Sequence, residues 1–390
     1  MIDALRRRAD THASSNRLDE PPERPSFLGL PPPYGGCLFP NGMQSTKGIM
    51  TCFFWCGHTG LDGERDESDD LTIGLPDYLF GRFLGQGKQG EVRHAIKRSN
   101  GESVAVKCIK RFRHGADQIE DNVLQEAAVL ARLSHPSIVR LLSFNTLPSY
   151  HYLVLELLDG GDLLGAVAGL MSYTEHDARE IAIALLEGLA HAHEARCVHR
   201  NLCPENLLLM RDPVRTAGGL GQRVKITGWG RAKRLPEHGL LPGEACFGMK
   251  AFSAPEMLLG EEHGTPADMY AVGAILYTLL SGSPPRVSGL MAAVSPSAPD
   301  VSGPSWACVS AEAKSLVGAL MMPEGPTARL SASEALRHPW ILAGERSLRV
   351  RSLDAVLKGA RVLSWRGAML AERNAELHHS ASMPRVRSMF

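Results

Sequence analysis

The periodicity of the sequence changes near Gly160, and this change restricts the fold more than any other feature. Before it, short runs with strand-type alternation are separated by glycine turns, at 78–84, 90–97, 103–110, 138–144 and 151–157, with one helical stretch at 117–133. After it, helical periodicity takes over, notably at 174–194, 268–281 and 310–321. Strands followed by helices predict an α+β fold in which a small β-rich lobe joins a larger α-helical lobe.

Both ends of the chain differ from this central part. Residues 1–77 are interrupted by repeated prolines and contain an acidic stretch at 62–70, which is typical of a disordered leader. Residues 343–390 form a basic tail. We therefore expect a folded part at 78–342, with a small lobe at 78–157 and a large lobe at 158–342.

Charge and cysteine content limit the classes of partner and the compartment. The chain has 42 basic and 42 acidic residues, so it lacks the excess positive charge that nucleic-acid binding needs. Its apolar runs are too short for a membrane span. Eight irregularly spaced cysteines favour a reducing compartment, the cytoplasm, over a disulfide scaffold. In the leader, Cys37, Cys52, Cys56 and His58 fit no common zinc spacing, and an apolar cluster is the simpler interpretation.

A glycine-rich turn is the first motif with chemical content. Gly85, Gly87 and Gly90 lie in a G-x-G-x-x-G pattern that precedes Val92. Glycines let the backbone approach phosphates closely, and the strand that follows argues against a dinucleotide site, where a helix would follow. Further along, the run 104–107 reads Val-Ala-Val-Lys, and Lys107 could reach phosphates if Glu126 fixes it. A surface ion pair is the alternative for these two residues.

These spacings resemble the protein kinase signature, and the resemblance covers about 78–342. The later motifs occur in order: His199-Arg200-Asn201-Leu202-Cys203-Pro204-Glu205-Asn206, Gly228-Trp229-Gly230, Ala254-Pro255-Glu256, Asp268–Gly273 and His338-Pro339-Trp340-Ile341. The Pro-Glu-Asn triplet and the turn at 160–163 resemble serine/threonine kinases of calcium/calmodulin-dependent type. The resemblance implies a two-lobed protein kinase fold with ATP as the ligand. It implies nucleotide-binding roles for Gly85, Gly87, Gly90, Val92, Ala105, Lys107, Glu126, Glu156 and Leu208, and it places Leu155 as the gatekeeper.

The pattern fails where the chemistry of phosphoryl transfer takes place. The position of the proton-accepting Asp is Asn201, and an amide does not accept a proton at neutral pH. Gly228 replaces the Asp that holds Mg²⁺, Cys203 replaces the catalytic-loop Lys, and Met249 replaces a Thr. Asn206 alone remains as a weak metal ligand, so Mg²⁺ binding is doubtful. Residues 228–252 also contain no Ser, Thr or Tyr that could take an activating phosphate.

Other family positions are kept. Leu130, Leu141, His199 and Trp229 fall at the four positions of the internal spine, although a Trp can also serve as a core filler. We therefore interpret the chain as a catalytically impaired protein kinase, a pseudokinase, that still binds ATP. It would act as a scaffold or allosteric regulator of another protein, an active kinase among the candidates. The alternatives are an active kinase with rerouted metal and base chemistry and a nucleotide-blind interaction module.

The pattern of the basic tail predicts one binding partner. Residues 346–373 carry seven basic and two acidic side chains, a net charge of 7 − 2 = +5, together with apolar residues near one helical face. This pattern resembles the autoregulatory segment of calmodulin-dependent kinases, which predicts calmodulin binding through Leu357, Leu363, Trp365 and Leu370. The alternatives are a helix packed on the larger lobe and an element that binds a membrane surface.

Overall fold

A computed structural model of the protein describes residues 75–86, 90–111, 117–168, 170, 173–210, 220–244, 249–285, 297–322, 325–343 and 353. Within these residues, the smaller lobe contains β1 (Tyr78–Gln86), β2 (Glu91–Lys97), β3 (Ser103–Lys110), α1 (Asp117–Arg132), β4 (Leu141–Thr146) and β5 (Tyr150–Glu156). The larger lobe contains α2 (Leu163–Ala168), α3 (Glu175–Glu194), β6 (Cys197–Val198), β7 (Leu207–Leu209), β8 (Val224–Ile226), β9 (Lys233–Arg234), α4 (Pro255–Leu258), α5 (Thr265–Ser281), α6 (Ala311–Leu320), α7 (Ala332–Ala335) and α8 (Pro339–Leu342). The predicted α+β fold with two lobes is confirmed.

The sheet of the smaller lobe is antiparallel, with the strand order β1-β2-β3-β5-β4. Its alternation has a clear physical origin in β3. Val104, Val106 and Cys108 lie on one face and are almost fully buried in an outer apolar cluster with Tyr152. Ala105 and Lys107 therefore point to the opposite face, which is the face turned towards the larger lobe.

The predicted strand at 138–144 begins later than expected, at Leu141. The residues before it pair with the other lobe instead. Ile138 forms a parallel bridge with Ile226 of β8, and the Val139 N–H donates to the Ile226 carbonyl at 3.1 Å. An apolar run alone cannot distinguish these two pairing partners, because both bury the same side chains.

The larger lobe is organised around α3. Thr174 and Asp177 form a capping box at its start, with the Thr174 N–H donating to the Asp177 carboxylate at 2.8 Å. The buried carboxylate of Glu175 accepts hydrogen bonds from the Ser310 N–H at 2.9 Å and from the Trp340 indole at 2.8 Å. These two bonds hold the starts of α6 and α8 against α3, and the mostly buried α5 fills the centre of the lobe.

Both flanking segments contribute residues to the described part. Leu75 is buried in the outer cluster of the smaller lobe, and its carbonyl accepts a hydrogen bond from the Tyr78 N–H. Leu353 is fully buried in the main core, and its N–H donates to the Tyr173 carbonyl at 2.9 Å. Residues 1–74 of the leader and almost all of the basic tail lie outside the described residues. None of the described helices combines the length and apolar character that a bilayer crossing requires.

Candidate functional site

A cleft between the two lobes holds most of the predicted nucleotide-binding residues. It encloses about 890 Å³, open solvent included. Apolar side chains from both lobes line it: Leu84, Val92, Ala105, Val139, Leu155, Leu158 and Leu208. The sheet supplies the upper wall because β1, β2 and β3 turn one face towards the larger lobe, and Leu208 of β7 supplies the lower wall. A space with such apolar walls suits a heteroaromatic ring.

The three glycines have different positions. Gly85 lines the cleft, whereas Gly87 lies outside the described residues. Gly90 is not among the lining residues. A Cβ at Gly90 would lie 2.0 Å from the carbonyl oxygen of Cys108, so this position needs glycine for the close approach of the backbone to β3. Within one sequence motif, Gly85 thus belongs to the cleft and Gly90 to the packing of the sheet.

Lys107 and Glu126 form a buried ion pair at one side of the cleft. The Lys107 ammonium lies 2.7 Å from the Glu126 carboxylate, and the two side chains are only 12% and 4% exposed. The alternative of a surface pair is therefore wrong. The register of β3 directs Lys107 into the cleft, and α1 brings Glu126 to it from behind. This arrangement places one ammonium group where phosphate oxygens could reach it.

The internal spine is assembled from four buried side chains, Leu130, Leu141, His199 and Trp229. The rings of His199 and Trp229 are edge-to-face with centroids 4.7 Å apart, and the Trp229 indole donates to the Ile226 carbonyl at 3.0 Å. The His199 Nε2–H donates to the Thr227 carbonyl, while Nδ1 accepts from the Asn201 N–H. Burial lowers the pKa of His199, which favours this neutral form.

The backbone of the loop at 199–206 is held from the larger lobe, and the loop carries Asn201 where the signature has an Asp. The carboxylate of Asp268 accepts hydrogen bonds from the backbone N–H groups of His199 at 2.8 Å and Arg200 at 2.9 Å. Burial alone would raise the pKa of Asp268, but the hydrogen bond and charge of His193 hold it below its ordinary value. Asn201 therefore stands at a rigidly held position, where its amide offers no base.

Gly228 adopts the left-handed conformation, with φ of 77°, directly beside Asn206. A Cβ built on Gly228 would lie 2.4 Å from Oδ1 of Asn206. The Asn206 Nδ2 donates to the Asn201 carbonyl at 2.7 Å, which fixes the side chain in this place. The site thus has no carboxylate at position 228, and a side chain there would have to displace the Asn206 amide.

The described residues do not fit a catalytic Mg²⁺. No group of three or more histidine, cysteine, aspartate or glutamate side chains in the described part could hold a metal ion. Asn206 offers a single amide oxygen, and hard cations such as Mg²⁺ are held in proteins mainly through carboxylates. The sequence predicts Asn206 as a weak metal ligand. Gly228 has no side-chain oxygen, so it adds no second ligand beside Asn206.

The other two replacements meet on the far side of the same loop. Asn201, Cys203 and Met249 line one small cavity, and Cys203 is almost fully buried. The Asn206 Nδ2 lies 3.4 Å from the Cys203 sulfur. An ammonium group that could steady a phosphate is thus replaced by a buried thiol, and a hydroxyl is replaced by a thioether.

Glu244 is a functional residue that the sequence reasoning missed. Its carboxylate accepts a hydrogen bond from Arg200 Nη2 at 2.6 Å and another from Lys233. Burial alone would raise the pKa of Glu244, but the hydrogen bonds and charges of Lys233 and Arg200 lower it from 4.5 to about 2. The carboxylate of Glu244 therefore stays ionised as the partner of Arg200. The sequence did contain one signal for this contact. Glu244 is an acidic residue within 228–252, a segment that has no Ser, Thr or Tyr.

Two further contacts hold this segment in place. Leu241 and His263 exchange backbone hydrogen bonds of 2.8 and 3.1 Å, and β9 pairs with β6. Beyond the segment, Arg329 forms a two-pronged pair with Glu256 at 2.6 and 2.9 Å. The predicted calmodulin anchors Leu357, Leu363, Trp365 and Leu370 lie outside the described residues.

Residues 78–341 match the protein kinase domain family. The chain belongs to the protein kinase family. It is similar to calcium/calmodulin-dependent protein kinase type II alpha chain of Drosophila melanogaster, with 34% identity over 304 residues that cover 75% of this chain and 56% of the relative.

Two further relatives carry similar names. The delta subunit of the type II kinase of Oryctolagus cuniculus is 35% identical over 272 residues, which cover 68% of this chain and 49% of the relative. The type II kinase of Caenorhabditis elegans is 34% identical over 267 residues, which cover 67% of this chain and 36% of the relative. This kinase domain is therefore of calcium/calmodulin-dependent type, and the chain spans about half or less of the length of most of these relatives.

The first prediction concerns the space beside Asn206. Gly228→Asp should lower the stability by about 2–4 kcal/mol, because the new Cβ strains the left-handed backbone and displaces the Asn206 side chain. It should not create metal-dependent ATP binding. Thermal unfolding and ATP titrations with magnesium and with chelator measure both effects.

The matched control is a glycine with free space. A Cβ at Gly318 in α6 meets nothing within 4 Å, so Gly318→Ala should leave the stability unchanged or raise it by about 0.5–1 kcal/mol. A Gly228→Asp protein that melts like the wild type and binds ATP more tightly with magnesium would contradict this account of the site.

The second prediction concerns Glu244. Glu244→Gln should destabilise the protein by about 1–3 kcal/mol and expose residues 233–244 to hydrogen exchange, because buried Arg200 loses its charged partner. The wild-type advantage should be complete above pH 4.5, where the unfolded carboxyl is ionised. It should shrink as the pH falls from 4.5 towards 2, because the folded-state pKa is depressed.

Glu237→Gln is the control for this experiment, since Glu237 is an exposed acid in the same segment. It should leave both the melting temperature and the exchange pattern unchanged. Equal behaviour of the two variants would mean that Glu244 does not order the segment.

Proposed function

We propose that this kinase domain is a pseudokinase of calcium/calmodulin-dependent type that binds ATP in its cleft and regulates another protein through its shape. One observation carries the proposal: Asn206 occupies the space beside Gly228 where a metal-binding carboxylate would stand. With Asn201 in the base position and Gly228 in the metal-binding position, the site would lack both carboxylates on which phosphoryl transfer depends. These losses affect one chemical step, so no single group compensates for the others.

Nucleotide binding is proposed because the cleft keeps its apolar walls and its ammonium group. Val92, Ala105 and Leu208 would enclose the base, and Lys107 would contact a phosphate. Without a carboxylate at position 228, this binding would not need magnesium. ATP would then serve as a structural ligand that joins the two lobes, because its contacts come from both.

A scaffold or allosteric role is supported by the way the domain holds its shape. The Lys107–Glu126 pair, the buried spine and the Glu244–Arg200 contact all join side chains of the protein itself. A partner would therefore meet one stable surface. The partner itself, an active kinase or another protein, is proposed only by class. The cytoplasm is the proposed compartment, in keeping with the free thiols of the described cysteines.

An active kinase with rerouted chemistry is the second candidate. Glu205 and Asn206 both line the cleft, so a metal held by these two side chains is the arrangement that it would require. The experiment below separates the two candidates directly.

The third prediction is that the purified protein transfers no phosphate to peptide or protein above background. Loss of a general base alone typically lowers the rate by about 10²–10⁴, and loss of the metal adds to this. Radioactive ATP with magnesium or manganese and a basic peptide gives the measurement. Lys107→Ala sets the background, because it removes the phosphate contact. Metal-dependent labelling by the wild type that disappears in Lys107→Ala would establish the active-kinase candidate instead.

Calmodulin is the proposed partner of the tail, from the basic and apolar pattern of 346–373 and from the names of the relatives. The fourth prediction is that the full chain binds calmodulin only with calcium, since calcium opens the apolar groove that receives such a helix. Replacing Leu357 and Leu363 with Asp should abolish binding, as titration calorimetry would measure.

Arg385→Ala is the control, because it lies outside the binding segment and should leave the affinity unchanged. Equal affinity in calcium and in chelator would indicate charge attraction alone. Absence of binding in both would favour a tail helix that packs on the larger lobe.

A further inference from the structure

An aromatic stripe runs along β1 on the outer face of the small sheet. Its members are paired with β2 in register: Tyr78 with Lys97, Phe80 with Ala95 and Phe83 with Arg93. Residues paired across antiparallel strands point to the same face, and Ala95 is buried in the outer cluster. All three rings therefore lie on the outer face. The shift of register between Phe80 and Phe83 keeps Phe83 there, although an odd spacing would otherwise turn it to the other face.

The described residues leave this aromatic stripe partly open to water. Phe83 is 45% exposed, and Tyr78 and Phe80 are each half-buried. The Phe80 ring meets Tyr152 of the outer cluster edge-to-face, with centroids 6.4 Å apart. The stripe thus continues the outer cluster to the surface. A contiguous aromatic surface of this kind is typical of a docking face, because covering it removes apolar area from water.

The chain enters the smaller lobe at this same face. Leu75 is 6% exposed and belongs to the outer cluster. Its carbonyl accepts a hydrogen bond from the Tyr78 N–H at 3.0 Å, and the Arg98 N–H donates to the Asp77 carbonyl at 2.8 Å. The residues that precede β1 are therefore already packed on the outer face. A part of the leader that docks here extends an existing contact between the leader and the sheet.

The leader carries a segment that matches the aromatic stripe in chemistry. Residues 49–56 read Ile-Met-Thr-Cys-Phe-Phe-Trp-Cys, an apolar run with three consecutive aromatic residues. The 18 residues of 57–74 separate this run from Leu75 and can span at most about 60 Å when extended. The five-stranded sheet is about 20 Å across. The run can therefore reach every part of the stripe, and a tether of this length raises its effective concentration to about the millimolar range.

Charge favours the same placement. Residues 62–70 carry six acidic side chains and one basic side chain, a net charge of 1 − 6 = −5. Lys97 lies opposite Tyr78, and the exposed Arg98 follows it beside the point where the chain enters the lobe. A leader that runs from the stripe to Leu75 brings its acidic residues close to this basic pair. The attraction between opposite charges guides docking and weakens with added salt.

We propose that residues 49–56 pack on the aromatic stripe and cover the outer face of the smaller lobe of the same chain. The aromatic residues of the run contact the rings of the stripe, and the acidic residues of the leader lie along Lys97 and Arg98. This face is the side of the sheet opposite to the cleft, so the inference goes beyond the proposed function and depends neither on a nucleotide nor on phosphoryl transfer.

The test follows the fluorescence of Trp55 in the full chain. Trp365→Phe removes the tryptophan of the tail, and the difference between this protein and its Trp55→Phe variant isolates the Trp55 emission. The other three tryptophans are buried and cancel in the difference: Trp229, Trp306 and Trp340. Trp55 should emit at short wavelength and be quenched weakly by acrylamide, because docking takes its ring out of water.

A matched pair of variants on β1 makes the test specific. Phe83→Ser removes one ring of the stripe, so the ratio of docked to free leader should fall about two- to tenfold and the Trp55 emission should shift to longer wavelength. Leu79→Ser is the control. Leu79 is 46% exposed on the same strand, but it pairs with Ile96 on the opposite face. This variant should leave the Trp55 emission unchanged.

A second variant tests the charge contribution without altering the stripe. Lys97→Glu combined with Arg98→Glu repels the acidic residues of the leader, so it should shift the Trp55 emission in the same direction as Phe83→Ser. The shift should be smaller in high salt, which screens the repulsion. This arm also decides the question if Phe83→Ser does not fold.

Three results would overturn the inference. The first is a Trp55 in the unsubstituted leader that emits and is quenched as in the urea-unfolded chain. The second is an equal response to Phe83→Ser and Leu79→Ser, or no response to Phe83→Ser and to the double charge variant. The third is a Trp55 emission that changes on dilution together with a dimer in sedimentation, because the run would then cover the stripe of a second copy.

Discussion

The buried carboxylate of Asp268 determines the geometry of the loop on which the rest of the site depends. It accepts the backbone N–H groups of His199 and Arg200 and the side chain of His193. These bonds hold Arg200 at a φ of 67°, a left-handed conformation that is unfavourable for a residue with a side chain. With the backbone fixed there, His199 packs on Trp229 and Arg200 points to Glu244. One carboxylate from α5 thus orients both the spine and the segment at 233–244.

The groups that maintain the shape are separate from the groups that would perform chemistry. Asp268, Glu126 and Glu256 form hydrogen bonds or ion pairs inside the protein, and each is needed because its partner is buried. Residues 201, 203 and 228 would act on a substrate or a metal, so their replacement by Asn, Cys and Gly leaves no buried charge unpaired. Replacing the signature residues at these three positions therefore does not lower the stability of the fold. This explains how the fold and the apolar cleft are kept while these three positions carry Asn, Cys and Gly.

Sequence spacing predicts contacts that follow a regular element. The alternation in β3 and the helical pattern after residue 117 were enough to bring Lys107 and Glu126 together, and the order of the motifs placed Val92, Ala105 and Leu208 in the cleft. Sequence spacing does not predict a contact that joins two irregular segments. Glu244 meets Arg200 across 44 positions of chain, and Asn206 fills the space beside Gly228 only because its amide bonds back to Asn201. Gly90 shows a third case, since a motif glycine serves strand packing rather than the cleft.

A carboxylate and a phosphate differ in what they allow the segment at 233–244 to do. A phosphate can be removed, so the segment it holds can be released, whereas Glu244 is ionised whenever the pH lies well above its lowered pKa. Its contact with Arg200 is therefore permanent under ordinary conditions. The tail begins inside the fold, because Leu353 is buried in the main core and bonds to Tyr173. A chain ended at residue 342 would lose this contact and expose part of the apolar core, so the start of the tail belongs to the structure of the larger lobe.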